Sequence, residues 1–284
     1  MFITVFLLTC VIVCLYGIFF PGAGSRASAP FEGSGEPNTL GGYLLFMFAI
    51  CLGIFIYAED YRWKISVFAV LVFIMQPFLN TLSRGSYLAF ILMYVTIVIF
   101  SKKLKTILVF IFIFLALSLP FILPENVIHR VTSTFVPGIT YSTPIGMEVT
   151  LDASTSQRIE IWKDVRKAIS RNPILGTGVG GVGLLDSQFP KVIAETGILG
   201  ILAFLWLLSA IFMTIKKVYK ETECPWSKGL SLGFLAGFIG LIVHSFSAET
   251  FIIIRIMEPF WFILAMVVSS LSFTDIQNPT VQGS

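Results

Sequence analysis

A few charged groups stand where they could do chemistry in an otherwise apolar chain. Arg84 opens an apolar run in Thr81-Leu-Ser-Arg84-Gly-Ser-Tyr-Leu88, and Arg26 lies in the short break before an earlier run. A guanidinium at the edge of a membrane span either snorkels to the interface or binds an anion there. Asp186 and Glu195, nine residues apart, flank the start of a later apolar run. One of them could act as general base toward an acceptor hydroxyl; the plainer alternative is loop solvation for Asp186 and a helix-end role for Glu195. Before them runs Gly176-Thr-Gly178-Val-Gly180-Gly181-Val-Gly183. It fits a dinucleotide fingerprint literally, but that motif needs a strand before it and a helix after it, and here a helical pattern precedes it. A glycine hinge remains, or a backbone cradle for phosphate. His244, Arg255 and Glu258 lie in or beside apolar runs, where ionisable groups face a cavity or a partner. His244 and Arg255 are possible cavity-lining groups, and Arg255 and Glu258, three apart, can pair on one helix face. No metal cluster, Ser-His-Asp set or Walker loop is present in the pattern, and Cys10, Cys14, Cys51 and Cys224 have neither disulfide nor zinc spacing. No cofactor is expected.

The elements that must position these groups are membrane spans. Of 284 residues, 56% are hydrophobic and only 12% charged, half the charge of a soluble domain, and the mean hydropathy is +0.90. A helical span needs roughly 20 apolar residues. The pattern predicts an all-α polytopic transmembrane bundle of about eight spans, near 2–20, 40–58, 64–80, 85–100, 106–123, 196–215, 229–248 and 251–270. The first is expected to be retained, as a signal anchor or a simple first helix, because no Lys or Arg precedes it. Alternate short breaks carry nine basic residues (Arg62, Lys64, Lys102, Lys103, Lys105, Lys216, Lys217, Lys220 and Lys228), against Arg26 and Arg84 in the others. The positive-inside bias then puts both termini in the cytoplasm. The net charge of +3, with no basic stripe interleaved with aromatics, excludes a nucleic-acid partner; the bilayer is the expected one.

The domain reading follows: 1–123 with five spans, 124–195 as an extracytoplasmic loop, 196–270 with three spans, and 271–284 as a cytoplasmic tail. Within the loop, 124–153 reads as irregular. Ser154-Thr155-Ser156 then offers N-caps, and Ile159, Trp162, Val165 and Ile169 recur at helical spacing opposite Arg158, Lys163, Arg166, Lys167 and Arg171. This predicts an amphipathic helix at the outer membrane interface.

Three stretches, Arg158-Ile-Glu-Ile-Trp162, Asn172-Pro-Ile-Leu-Gly176-Thr-Gly178 and Ala194-Glu195-Thr-Gly197-Ile-Leu-Gly200, together resemble the signature region of the O-antigen ligase and polymerase superfamily. The break with Arg26, Phe31 and Pro37-Asn38 resembles an upstream motif of the same family. The resemblance implies a bacterial inner-membrane glycosyltransferase with a large periplasmic loop, which takes undecaprenyl-pyrophosphate-linked oligosaccharide as donor, a glycan as acceptor and no metal. It implies that Arg84, with three residues between it and Leu88, and Arg158 in the loop bind the donor pyrophosphate, with Arg26 as a further candidate. Family ligases carry a histidine with ten residues between it and a following glycine; counting back from Gly197, that place holds Asp186. The substitution moves the expectation from lipid A ligase toward polymerase, with Asp186 as base and Glu195 second. The family usually has ten or more spans, so eight imply a shortened member or one lacking early helices. The alternatives are a polysaccharide or lipid-glycan flippase, whose path His244, Arg255 and Glu258 would line, and an inactive truncated member.

Overall fold

The computed structural model describes residues 2–22, 26–30, 36–122, 125–132, 139–142, 148–151, 153–183 and 185–277; the side chains of 119–122, 139–142, 148–151, 153–160 and 271–277 lie outside that description. Each of the eight apolar segments forms a helix: α1 (Phe2–Phe19), α2 (Pro37–Tyr57), α3 (Tyr61–Asn80), α4 (Arg84–Phe100), α5 (Lys105–Ile122), α8 (Gln188–Glu221), α9 (Pro225–His244) and α10 (Ile254–Gln277). Hydrocarbon offers no partner for backbone N–H and C=O, so apolar sequence there must close its own hydrogen bonds in helices. Among the described residues, α1, α2, α3, α8 and α9 are long and apolar enough to cross a bilayer, while α4 and the first part of α5 are apolar but shorter. The loop read as irregular before residue 153 contains α6 (Glu125–Thr132) and an antiparallel hairpin, β1 (Ile139–Ser142) with β2 (Glu148–Leu151), paired Ile139 to Leu151 and Tyr141 to Val149. Then follows α7 (Ala153–Arg171). The fold class is all-α, with this one hairpin among the described residues.

The chain divides into two units, Met1–Phe114 with Leu208–Ser284, and Leu115–Leu207. The first is built on α2 and α9. Lipid-tail solvent provides little hydrophobic force between helices, so close packing must hold them. Small residues allow it: a Cβ on Gly53 would collide with the backbone of Gly229 and Gly233. Beside this seam Phe46, Phe234 and Phe260 form a buried aromatic cluster, with ring centroids 4.9 to 5.8 Å apart.

One end of this unit carries the basic breaks. Trp63 at the start of α3 meets Trp226 at the start of α9, with ring centroids at 5.2 Å. Tyr219 Oη donates to the Phe100 carbonyl at 2.7 Å, which leaves Tyr57 Oη to donate to Tyr219 across 2.9 Å. The Lys103 ammonium lies 5.3 Å from the Tyr57 ring centroid, and Lys228 donates to the Thr222 carbonyl at 3.0 Å. The exposed cysteine, Cys224, precedes α9 at this end, whereas Cys10, Cys14 and Cys51 are buried. The Ser227 backbone N–H directed at its sulfur holds the Cys224 thiol below the ordinary cysteine range, against the opposing effect of partial burial. A lowered thiol pKa means more thiolate at any given pH. A membrane-impermeant maleimide is therefore expected to label Cys224 in inverted vesicles and not in intact spheroplasts, with its pH–rate curve displaced to lower pH than that of free cysteine. Labelling from the outside would reverse the proposed orientation.

In the second unit the helix read as amphipathic packs one side on protein. Val165 and Ala168 of α7 are buried against Leu185 and Ala194, with Ile161, Ile169, Val182 and Ile193 around them. Trp162, placed by its spacing in the apolar stripe, is 51% exposed. The stripe is rotated because the segment after α7 folds back over it, which helical spacing alone does not reveal. The polar face is solvated, and carries an exposed Lys167–Asp164 pair at 3.1 Å of the kind that contributes little to stability.

Candidate active site

The chemistry-bearing loop is organised by a break in α8. Gly197 has φ 66° and ψ −161°, a conformation open essentially to glycine alone. A helix broken there loses i to i−4 partners on both sides, orphaning N–H groups after the break and carbonyls before it. The glycine-rich segment replaces them. Ile198 N donates to the Pro173 carbonyl at 2.9 Å and Leu199 N to the Ile174 carbonyl at 3.3 Å. In return Thr177 N donates to the Ala194 carbonyl and Gly178 N to the Glu195 carbonyl, each at 2.9 Å. Thr177 Oγ1 adds a bond to the Ala194 carbonyl at 3.1 Å. Asn172-Pro-Ile-Leu-Gly176-Thr-Gly178 and Ala194-Glu195-Thr-Gly197-Ile-Leu-Gly200 are thus two halves of one main-chain joint. A Cβ on Gly176 would lie 2.5 Å from the Glu195 carbonyl group, and one on Gly197 would collide with the Ile174 carbonyl. The segment read as a flexible hinge is docked at its first half; at Gly178, Gly180 and Gly183 it faces open space.

The two carboxylates have different surroundings. Glu195 is buried, and its Oε1 accepts the Gly180 N–H at 2.9 Å. Asp186 is exposed, between buried Leu185 and buried Ser187, two residues before α8 begins. A general base must reach the proton that it takes, and Asp186 is the one open to an incoming hydroxyl. Arg158 belongs to α7, but its side chain lies outside the described residues.

In the first unit, the end opposite the lysines gathers polar side chains. Arg26 Nε donates to the Thr81 carbonyl at 2.8 Å and its Nη2 to the Leu82 carbonyl at 3.3 Å, so Arg26 ties the α1–α2 connection to the α3–α4 turn. In that turn Leu82 has a positive φ of 50°. Ser83 caps α4 by accepting the Ser86 N–H. Ser86 Oγ donates to Ser83 Oγ, and Ser83 Oγ to Asn38 Oδ1, each at 2.8 Å. Arg84 is the half-buried first residue of α4. Its charge adds to the positive end of the helix dipole, where a cation is disfavoured and an anion is attracted. A Cβ on the neighbouring Gly85 would collide with Ser247, so the α9–α10 turn packs directly on this end of α4. His244 is fully buried, with Nδ1 2.8 Å from Thr250 Oγ1, and fastens that turn. Arg255 is half-buried in the first turn of α10, and Glu258 is exposed. Phe31 lies outside the described residues. No group of three His, Cys, Asp or Glu among the described residues is disposed to hold a metal ion.

Residues 77–205 match the family model described as O-antigen ligase. Over this stretch, a little under half of the chain, the protein is similar to the O-antigen ligase and polymerase superfamily. The likeness supports an O-antigen ligase-type role in glycan assembly at a membrane, and that family implies lipid-linked glycans as the substrate class. No curated protein matches the chain as a relative. The O-antigen ligase region takes in the end of α3, the turn before Arg84, and the whole joint around Gly197, together with Arg158, Asp186 and Glu195. Arg26, His244 and Arg255 lie outside the matched residues. The Asn38–Ser83–Ser86 network escaped the reading of charged groups, since hydroxyls and an amide at helix starts are ordinary capping residues in sequence. Only Ser83, directly ahead of an apolar run, had a legible cap signal.

Proposed function

We propose that the chain is a glycosyltransferase of the bacterial inner membrane, with both termini cytoplasmic and 124–195 in the periplasm, which polymerises or transfers undecaprenyl-pyrophosphate-linked glycan in surface or exopolysaccharide synthesis. The observation that carries the reading is the exposed Asp186 beside the main-chain joint that the signature residues build. Arg84 and Arg158 hold the donor pyrophosphate, since a guanidinium can bind two phosphate oxygens at once, and Arg26 holds the turn that presents Arg84. Their charge stabilises the departing lipid pyrophosphate without a metal. Asp186 takes the proton of the acceptor hydroxyl as that oxygen attacks the anomeric carbon and the bond to the pyrophosphate oxygen breaks. Glu195 acts at one remove, keeping the Gly180 amide in place.

The test is glycan elongation in proteoliposomes given a polyprenyl-pyrophosphate oligosaccharide, with EDTA present. Asp186→Asn is expected to lower the rate about 100-fold or more, the usual contribution of a general base. Glu195→Gln keeps an acceptor oxygen for Gly180 N–H and is expected to retain most of the rate. Full activity of Asp186→Asn rejects Asp186 as the base. Loss confined to Glu195→Gln transfers that role to Glu195.

A further inference from the structure

The end of the first unit away from Arg84 has a lateral groove of about 410 Å³ between the first halves of α1 and α3. Leu7, Leu8, Val11 and Val70 line its walls, and Asp60, Arg62 and Trp63 stand at one end. Leu8 is 60% exposed, so this surface is open to the bilayer. The volume falls in the range of small-ligand sites, and in a membrane an apolar slot of this kind suits an acyl chain. The head end decides which lipid. The charged groups at that end are one acidic residue, Asp60, just before α3, and one basic residue, Arg62, in its first turn. An all-basic mouth would select anionic lipids; a mouth of balanced charge repels a net-negative headgroup as much as it attracts it. A headgroup carrying both signs satisfies both groups. Asp60 Oδ1 accepts the Arg62 N–H at 2.9 Å and caps α3, which fixes its carboxylate at the groove's end. The contact between Trp63 and Trp226 at 5.2 Å anchors the wall beside it.

We infer that the groove between α1 and α3 is a binding site for one amine-bearing zwitterionic phospholipid, its ammonium on Asp60, its phosphate on Arg62 and one acyl chain along Leu7, Val11 and Val70. A primary ammonium donates hydrogen bonds to the carboxylate, which a quaternary one does not. The site is independent of glycan transfer.

The experiment reconstitutes the full chain in bilayers of equal parts phosphatidylethanolamine, phosphatidylglycerol and phosphatidylcholine and weighs retained lipid by native mass spectrometry. The chain is expected to keep one phosphatidylethanolamine with about three- to five-fold preference over each of the others, the range of a partly exposed ion pair. Asp60→Asn preserves the helix cap, because asparagine caps about as well as aspartate, but removes the charge; the preference is expected to fall to parity. Val11→Trp fills the groove and should lose the adduct of every lipid. Equal retention of phosphatidylglycerol or phosphatidylcholine by the unsubstituted chain overturns the inference. So does a preference unchanged in Asp60→Asn, a variant that requires no repacking.

Discussion

Gly197→Ala dissolves the joint between the glycine-rich segment and α8. Holding alanine at φ 66° and ψ −161° costs about 1–3 kcal/mol in backbone strain alone. The added methyl also meets the Ile174 carbonyl, which is main chain and cannot rotate aside. Relief requires the two strands of the joint to separate, and with them go the bonds of Ile198 and Leu199 to Pro173 and Ile174, and of Thr177 and Gly178 to Ala194 and Glu195. Amide exchange at Thr177, Gly178, Ile198 and Leu199 is expected to accelerate about 100-fold, the equivalent of roughly 3 kcal/mol of local stability. Gly183→Ala is the control. Its φ is +75° but nothing lies within 4 Å of the new methyl, so only the left-handed backbone term of about 1–2 kcal/mol applies, away from the joint. Native-like protection at those four amides in Gly197→Ala would show that the break is not held by this exchange of partners.

The same glycine shows where sequence reading succeeds and stops. Apolar runs long enough to span a bilayer must be helical, so α1 to α5 and α8 to α10 were legible from hydropathy. Their ends differed: α8 starts at Gln188, eight residues ahead of the apolar run, because the mixed stretch Gln188 to Thr196, with Lys191 and Glu195 among apolar residues, is also helical up to the break. The glycines of 176–183 showed a turn but not its partner, since main-chain pairing across some twenty residues has no side-chain signature. The α7 stripe was found but its facing was not, because the same spacing serves a membrane surface or a protein one. The carboxylates at 186 and 195 were visible as a pair. Only burial separates them, into an exposed group and one that accepts a backbone N–H.

Arg84→Ala is expected to abolish glycan elongation while leaving the protein in the membrane at its normal level. Arg84 heads α4, where the helix dipole opposes a cation by about 0.3–1 kcal/mol. A residue chosen for stability there would be acidic or neutral, as the cap Ser83 is. On the proposed role, losing the side chain removes a donor to the pyrophosphate, and removal of one such preorganised donor lowers turnover about 100- to 1000-fold. Arg84→Lys restores the charge but not the planar fork, so it should recover only part of the rate. Arg26→Ala separates presentation from binding. Arg26 closes the Thr81 and Leu82 carbonyls, and without it the turn carrying Arg84 loses both bonds. That variant should lose thermal stability as well as elongation, whereas Arg84→Ala is expected to lose elongation with the smaller change in melting temperature. Chain-length profiles on gels, read beside membrane abundance and melting in detergent, distinguish the two. Undiminished glycan length in Arg84→Ala would remove Arg84 from the donor site and leave it an interfacial arginine.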